Sequence, residues 1–172
     1  MGILRNRRND DDNNGQRFQM REKLLSIGDD YWIEDDQGNR VYRVNGKALR
    51  VRSTFKLEDP SGQEVASIQE RKLSVRDKIS IERDGRSLAT VHKALVGIRD
   101  RFAIDLDQGA DLQLHGNVVD HEYEIERDGD RVAQISKDWF RVRDTYGVEV
   151  EPGEDVGLVL AITVALESMT EE

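Results

Sequence analysis

Hydrophobic and polar positions alternate along most of this chain, in short runs broken by turn residues. Tyr31-Trp32-Ile33-Glu34 and Val41-Tyr42-Arg43-Val44 flank Asp36-Gln37-Gly38-Asn39. Phe55-Lys56-Leu57-Glu58 and Val65-Ala66-Ser67-Ile68 flank Asp59-Pro60-Ser61-Gly62. Two further pairs of runs surround Asp84-Gly85 and Asp128-Gly129. Period-2 alternation predicts strands, and Asp-Gly between two such runs predicts a hairpin, because both central residues of the tight turn need positive φ. The last segment breaks the pattern. Val156-Gly157-Leu158-Val159-Leu160-Ala161-Ile162-Thr163-Val164-Ala165-Leu166 is apolar on every side of a helix, so that helix must be enclosed all round.

The hairpins repeat one another. Ile81-Glu82-Arg83-Asp84-Gly85 with Ala89, Val91 and Lys93 aligns without gaps to Ile125-Glu126-Arg127-Asp128-Gly129 with Ala133, Ile135 and Lys137. Serial hairpins can close into an antiparallel barrel, which removes exposed sheet edges. The alternation places Ile79, Ile81, Leu88 (or Ala89) and Val91 inside and Glu82, Arg83 and Lys93 near the surface. Further strands are expected at Arg21–Ser26, Ile98–Leu106, Leu112–Gly116, Phe140–Arg143 and Gly147–Val150. A helix is expected over Asp155–Met169, with Asp155 as its cap. Trp32, Trp139 and Phe140 are expected to pack inside the barrel against it. The fold class is therefore mainly β, a closed antiparallel barrel around a hydrophobic C-terminal helix.

Composition narrows the function. The chain has 172 residues, enough for one domain with a substantial core. It has no cysteine, which excludes disulfides, thiolate metal sites and cysteine nucleophiles. The net charge of −9 argues against nucleic-acid binding, which needs a basic face. Asp and Arg dominate the charged residues, a balance that suits a high-salt cytoplasm. Residues 1–19 form an expected polar, disordered tail ahead of a domain over 20–172. No signal sequence opens the chain, so the expected location is cytoplasmic and the expected state a monomer. The apolar run falls short of the roughly 20 residues a membrane span needs.

Several segments resemble the LURP-one-related family: Lys23-Leu24-Leu25-Ser26-Ile27-Gly28-Asp29-Asp30, Asn45-Gly46-Lys47-Ala48-Leu49-Arg50, Asp138-Trp139-Phe140, Asp144-Thr145-Tyr146-Gly147-Val148 and the closing helix. The likeness runs over nearly the whole chain. It implies the fold of tubby C-terminal domains and phospholipid scramblases, a twelve-stranded β-barrel around a central C-terminal helix. Tubby domains bind phosphoinositides through a basic pocket, but no tubby lipid-binding residue carries over by position.

The densest basic stretch in this acidic chain is Lys47, Arg50, Arg52, Arg71, Lys72, Arg76 and Lys78. On neighbouring strands these residues would form a patch for an anionic headgroup, since Arg forks suit phosphate. Cross-strand pairing with the abundant carboxylates is the plainer reading. His92, His115 and His121 lack the spacing of a zinc site. Asp105, Asp107 and Asp111 faintly suggest calcium, yet Ala110 and Gly116 stand where an EF-hand needs Gly and Glu. Neither a metal nor a cofactor is expected. The expectation is a non-enzymatic binding module for an anionic lipid headgroup or another phosphorylated ligand. The alternatives are a structural or protein-interaction domain and an enzyme using His121 with neighbouring Glu122.

Overall fold

The computed structural model describes residues 15–22, 30–46, 54–71, 78–96, 99–140 and 142–170. Their alternating segments become twelve strands: β1 (Gln16–Arg21), β2 (Tyr31–Asp35), β3 (Arg40–Asn45), β4 (Thr54–Glu58), β5 (Glu64–Arg71), β6 (Lys78–Arg83), β7 (Arg86–Val96), β8 (Arg99–Leu106), β9 (Gln113–Asn117), β10 (Glu122–Arg127), β11 (Asp130–Ser136) and β12 (Thr145–Val150). One helix follows, α1 (Val156–Thr170). All pairings are antiparallel. The sheet order is β8-β7-β6-β5-β4-β3-β2-β1-β12-β11-β10-β9, and β1 joins β12 from Gln16↔Val150 to Arg21↔Thr145. The two ends of that order, β8 and β9, meet through one bridge, Ile104↔Leu112. The result is a nearly closed barrel.

Four hairpins share a device. The register shifts at Ile33/Glu34, Leu57/Glu58, Ile81/Glu82 and Ile125/Glu126, one apolar-Glu step before each turn. A bulge adds twist and bends the strand, which helps a sheet curl into a barrel. In the two shorter turns, Asp84 and Gly85 have φ of 51° and 74°, and Asp128 and Gly129 have 52° and 86°. In the two longer turns, an Asp side chain holds the loop: Asp35 accepts from the Gln37 and Asn39 N–H groups, and Asp59 from those of Ser61 and Gln63.

The barrel is filled by α1. Its residues from Val159 to Glu167 are all buried, as its uniformly apolar sequence requires. Around it sit Met20, Ile33, Leu57, Ile68, Ile81, Val91, Ile125, Ile135 and Val148. Each large apolar side chain buried this way contributes about 1.5–3 kcal/mol, so the helix and inner strand faces form one cooperative core. Asp155 caps α1, its Oδ1 accepting from the Leu158 N–H at 3.1 Å.

Some expectations require correction. β1 starts at Gln16, inside the expected tail, because Phe18 and Met20 face the core. Residues 23–29 lie outside the described residues, so the strand expected over Arg21–Ser26 is represented only by the end of β1. Of the strand expected at Phe140–Arg143, Arg141 lies outside the described residues, and Phe140, Val142 and Arg143 belong to no strand, with a turn at Arg143 and Asp144 before β12. Of the Leu88/Ala89 alternatives, Ala89 is the fully buried residue.

The aromatic residues expected against α1 lie elsewhere. Trp32 sits between buried Tyr31 and Ile33, so strand parity turns it outward, where Arg40 and Arg43 approach its ring at 5.6 and 5.9 Å. Trp139 and Phe140 cover the outer side of β12 at Gly147. A Cβ on Gly147 would lie 2.7 Å from Trp139 and 3.1 Å from Phe140, so only glycine admits both rings.

Candidate functional site

The up-and-down order gives the barrel two different rims. The tight turns at 36–39, 59–63, 84–85 and 128–129 gather on the hairpin rim, with the N-terminus of α1. The connections 22–30, 46–53, 72–77, 97–98, 118–121 and 137–144 leave and re-enter the sheet at the opposite rim, where α1 ends. Among the described residues, the two exposed large hydrophobics, Val119 and Val142, belong to connections of this C-terminal rim.

At the hairpin rim the polar groups are ion pairs in contact with water. Arg83 makes a two-pronged contact with Asp155, Nη1 to Oδ2 at 2.8 Å and Nη2 to Oδ1 at 2.9 Å, and its Nε donates to the Val65 carbonyl. This fork holds the Asp155 carboxyl below the usual carboxylate range and raises the Arg83 guanidinium. Arg127 pairs with Glu154, and Arg131 with Glu151.

The C-terminal rim contains a sealed polar cluster. His121 lies on the β9–β10 connection, with its backbone in the left-handed region at φ 55°. Its Nε2 contacts Glu167 Oε2 on the last turns of α1, and both side chains are under a tenth exposed. Its ring stacks on Tyr146, with centroids 4.4 Å apart. His121 Nδ1 lies 3.9 Å from Glu22 Oε1, beyond hydrogen-bond reach, and the same Glu22 oxygen accepts from Lys137 Nζ at 2.8 Å. The Glu22 contact raises the Lys137 ammonium. Burial, and then the Glu167 charge, push the Tyr123 and Tyr146 phenols well up, so both stay neutral hydrogen-bonding groups. Chemically the cluster is a lock: it ties α1, the end of β1 and two connections through charge and stacking. Glu122, the expected partner of His121 in the enzyme alternative, instead accepts from Ser136 Oγ and the Lys137 N–H.

Sequence reasoning missed this cluster, although Glu167 carried a signal. A carboxylate on a helix enclosed all round must find a buried partner.

The remaining candidates are scattered. Of the seven basic residues, Lys47, Arg50, Arg52, Lys72 and Arg76 lie outside the described residues. Arg71 and Lys78 stand directly opposite each other at the end of β5 and the start of β6, and Lys78 is also opposite His92. His92 pairs with Asp105 at 3.0 Å and His115 with Glu126 at 3.1 Å. Asp111 closes its turn by accepting from the Leu106 N–H at 2.9 Å, and no group of three metal-ligating side chains occurs among the described residues. None of the described helices is long and apolar enough to cross a membrane, which says nothing of strands.

The family model for LURP-one-related proteins matches residues 16–167. The chain belongs to the LURP-one-related family. An X-ray structure of a protein from Arabidopsis thaliana has a similar fold, with a TM-score of 0.64 at 15% sequence identity, covering 92% of this chain and 94% of that one. No curated protein matches the sequence. The LURP-one-related match begins at β1 and ends in the last turns of α1, so it takes in both Glu22 and Glu167 of the lock.

Proposed function

We propose that this LURP-one-related domain is a non-enzymatic binding module that takes an anionic lipid headgroup, or another phosphorylated ligand, at its C-terminal rim. The observation that supports this reading is one of connectivity. Lys47, Arg50 and Arg52 belong to the connection between β3 and β4, and Lys72 and Arg76 to that between β5 and β6. These strands are neighbours in the sheet, and Arg71 and Lys78 face each other at the base of the second connection. Seven cations thus attach to adjoining strand ends in a chain whose net charge is −9. Each Lys or Arg near an anionic bilayer contributes about 1 kcal/mol. Repulsion of the remaining surface is screened beyond about 8 Å at physiological salt, so a concentrated patch suffices. A binding role also fits a fold shared with tubby-like binding domains.

The test is co-sedimentation with phosphatidylcholine vesicles, with and without phosphatidylserine or a phosphoinositide. It is run on the unaltered chain and on Arg71→Glu/Arg76→Glu. Binding that needs anionic lipid and drops about tenfold or more in the variant supports the reading, given the charge reversal at two positions. Binding of soluble inositol phosphates without vesicle association assigns a free phosphorylated ligand instead. Equal, negligible binding of all samples removes the proposal.

A further inference from the structure

The two rims differ in where apolar side chains meet water. The hairpin turns present polar residues, glycine or proline. Among the described residues the exposed large hydrophobics are Val119, at 65%, and Val142, at 56%, and both lie at the C-terminal rim. Single apolar residues are ordinary on a protein surface, so it is their shared location that matters. Val119 belongs to the β9–β10 connection and Val142 to the β11–β12 connection. These connections adjoin. His121, at the end of the first, stacks on Tyr146 just after the second, and Glu122 accepts from the Lys137 N–H.

Local hydrogen bonds hold both valines outward. The Asp120 N–H donates to Asn117 Oδ1 at 3.1 Å and the His121 N–H to the Val118 carbonyl at 3.2 Å, which closes the turn around Val119. On either side of it, Val118 packs against the core and His121 is buried. The Val142 carbonyl accepts from Thr145 Oγ1 at 2.6 Å, and Thr145 is buried. The Asp144 carbonyl accepts from the Glu22 N–H at 3.0 Å. The apolar tips are thus preformed, and docking has little left to order.

Charge does not bar this part of the rim from an anionic surface. Connections 118–121 and 137–144 carry Lys137, Arg141 and Arg143 against Asp120, Asp138 and Asp144, a balanced set in an otherwise acidic chain. Arg143, next to Val142, has a side chain 95% exposed, with Asp144 at 3.8 Å. Its long stem lets the guanidinium stay at headgroup level while the valine goes deeper.

The sheet order then sets the geometry. The two valine connections are centred between β10 and β11, and the β3–β4 and β5–β6 connections between β4 and β5, six of twelve strands away. In a nearly closed barrel these centres face each other across the rim. A free phosphorylated molecule held by the basic connections leaves the valines unused. A flat surface laid across the rim engages both sides.

We infer that the C-terminal rim is a membrane-docking face, with Val119 and Val142 entering the boundary between headgroups and acyl chains of a bilayer that contains anionic lipid. This rests on the headgroup reading above and commits it to a bilayer rather than a free phosphorylated molecule. The barrel stands upright, with the end of α1 toward the lipid. Apolar area and electrostatic attraction then add, as they do for other interfacial elements. A protein partner is the poorer occupant, because protein interfaces draw most of their energy from clustered aromatic and Arg anchors, among which valine is under-represented.

The test uses the absence of cysteine in the chain. Val119→Cys, Val142→Cys and, on the hairpin rim, Gln37→Cys each carry one environment-sensitive fluorophore on the full chain. The probes are phosphatidylcholine vesicles with and without phosphatidylserine or a phosphoinositide, some bearing nitroxide on the acyl chains. With anionic lipid, the labels at 119 and 142 should shift to the blue and be quenched by the nitroxide, and the label at 37 should do neither. Val119→Ser/Val142→Ser should weaken vesicle binding about tenfold or more. Its thermal midpoint should match that of the unaltered chain, since both side chains already face water. Vesicle binding that leaves the labels at 119 and 142 in water overturns the inference and spares the headgroup reading. Binding of a soluble inositol phosphate without vesicle association does the same. No binding of either overturns both. Labels that shift with protein concentration alone report self-association and also overturn the inference.

Discussion

The hairpin rim fastens the start of α1 with charges that remain in contact with water, whereas the C-terminal rim fastens its end with an imidazole and a carboxylate sealed among tyrosines. Arg83 and Asp155 are each about a third or more exposed, while His121 and Glu167 are nearly buried. The same kind of attraction therefore has different consequences. Solvent screens the first pair and leaves a modest net gain. At the second, both groups have lost their hydration, so removing either one leaves the burial of the other less well compensated. The hairpin rim is built of interchangeable small contributions; the C-terminal rim depends on one arrangement.

The largest effect is expected at the sealed end. His121→Ala should destabilise the fold by about 3–5 kcal/mol in chemical denaturation, because the Glu167 carboxylate loses its imidazole. A double-mutant cycle with Glu167→Ala should show coupling above about 1 kcal/mol. Additive losses would mean that the contact is incidental and would erase the contrast between the rims.

At the hairpin rim, Arg83→Ala should cost about 1–2 kcal/mol, from the carbonyl bond and the screened fork together. A loss equal to that of His121→Ala would make the two rims energetically alike. Gly129→Ala should cost about 1 kcal/mol by thermal melting. A Cβ there meets nothing within 4 Å, so the penalty comes from the φ of 86° alone.

The smallest effect is a pH dependence. Asp155→Asn should cost well under about 1 kcal/mol at neutral pH, since the pair is screened and Asn still caps the helix. The folded-state pKa of Asp155 lies below its ordinary 3.8. The stabilisation is thus present above the unfolded value and lost as pH falls through the folded one. The difference between the two proteins should shrink as pH falls through and below the ordinary carboxylate range, and a difference that stays constant into acid would mean that the charge contributes nothing.

What the sequence reveals follows the range of the interaction. The hairpins are legible because their cause is local: an Asp-Gly pair or an Asp side chain binding its own turn, after an apolar-Glu step. The helix is legible because eleven consecutive residues from Val156 to Leu166 carry no charge. The lock is not, because His121 and Glu167 stand 46 residues apart and meet only when α1 threads the barrel. Glu122, adjacent to His121, is the natural guess from sequence, but as the first residue of β10 it faces outward to Ser136 and Lys137. The burial of Trp32 fails for a related reason. Tyr31-Trp32-Ile33 is apolar on both sides of the strand, so the pattern alone leaves its parity open. The basic cluster is legible as composition, and its opposed members Arg71 and Lys78 become visible only through the register of β5 and β6.

The placement of α1 after all twelve strands also constrains how the protein is made. Each hairpin can begin to pair as it leaves the ribosome, since its contacts are close in sequence. None has an interior to close upon until residues 156–170 have been synthesised, and β1 waits for β12, more than a hundred residues later, to complete its ladder. Closing so distant a contact is slow compared with forming a hairpin. During translation the inner faces of β1 to β11 are thus a row of unsatisfied apolar stripes, and a chain halted before Val156 is a client for chaperones and proteases rather than a partly working domain.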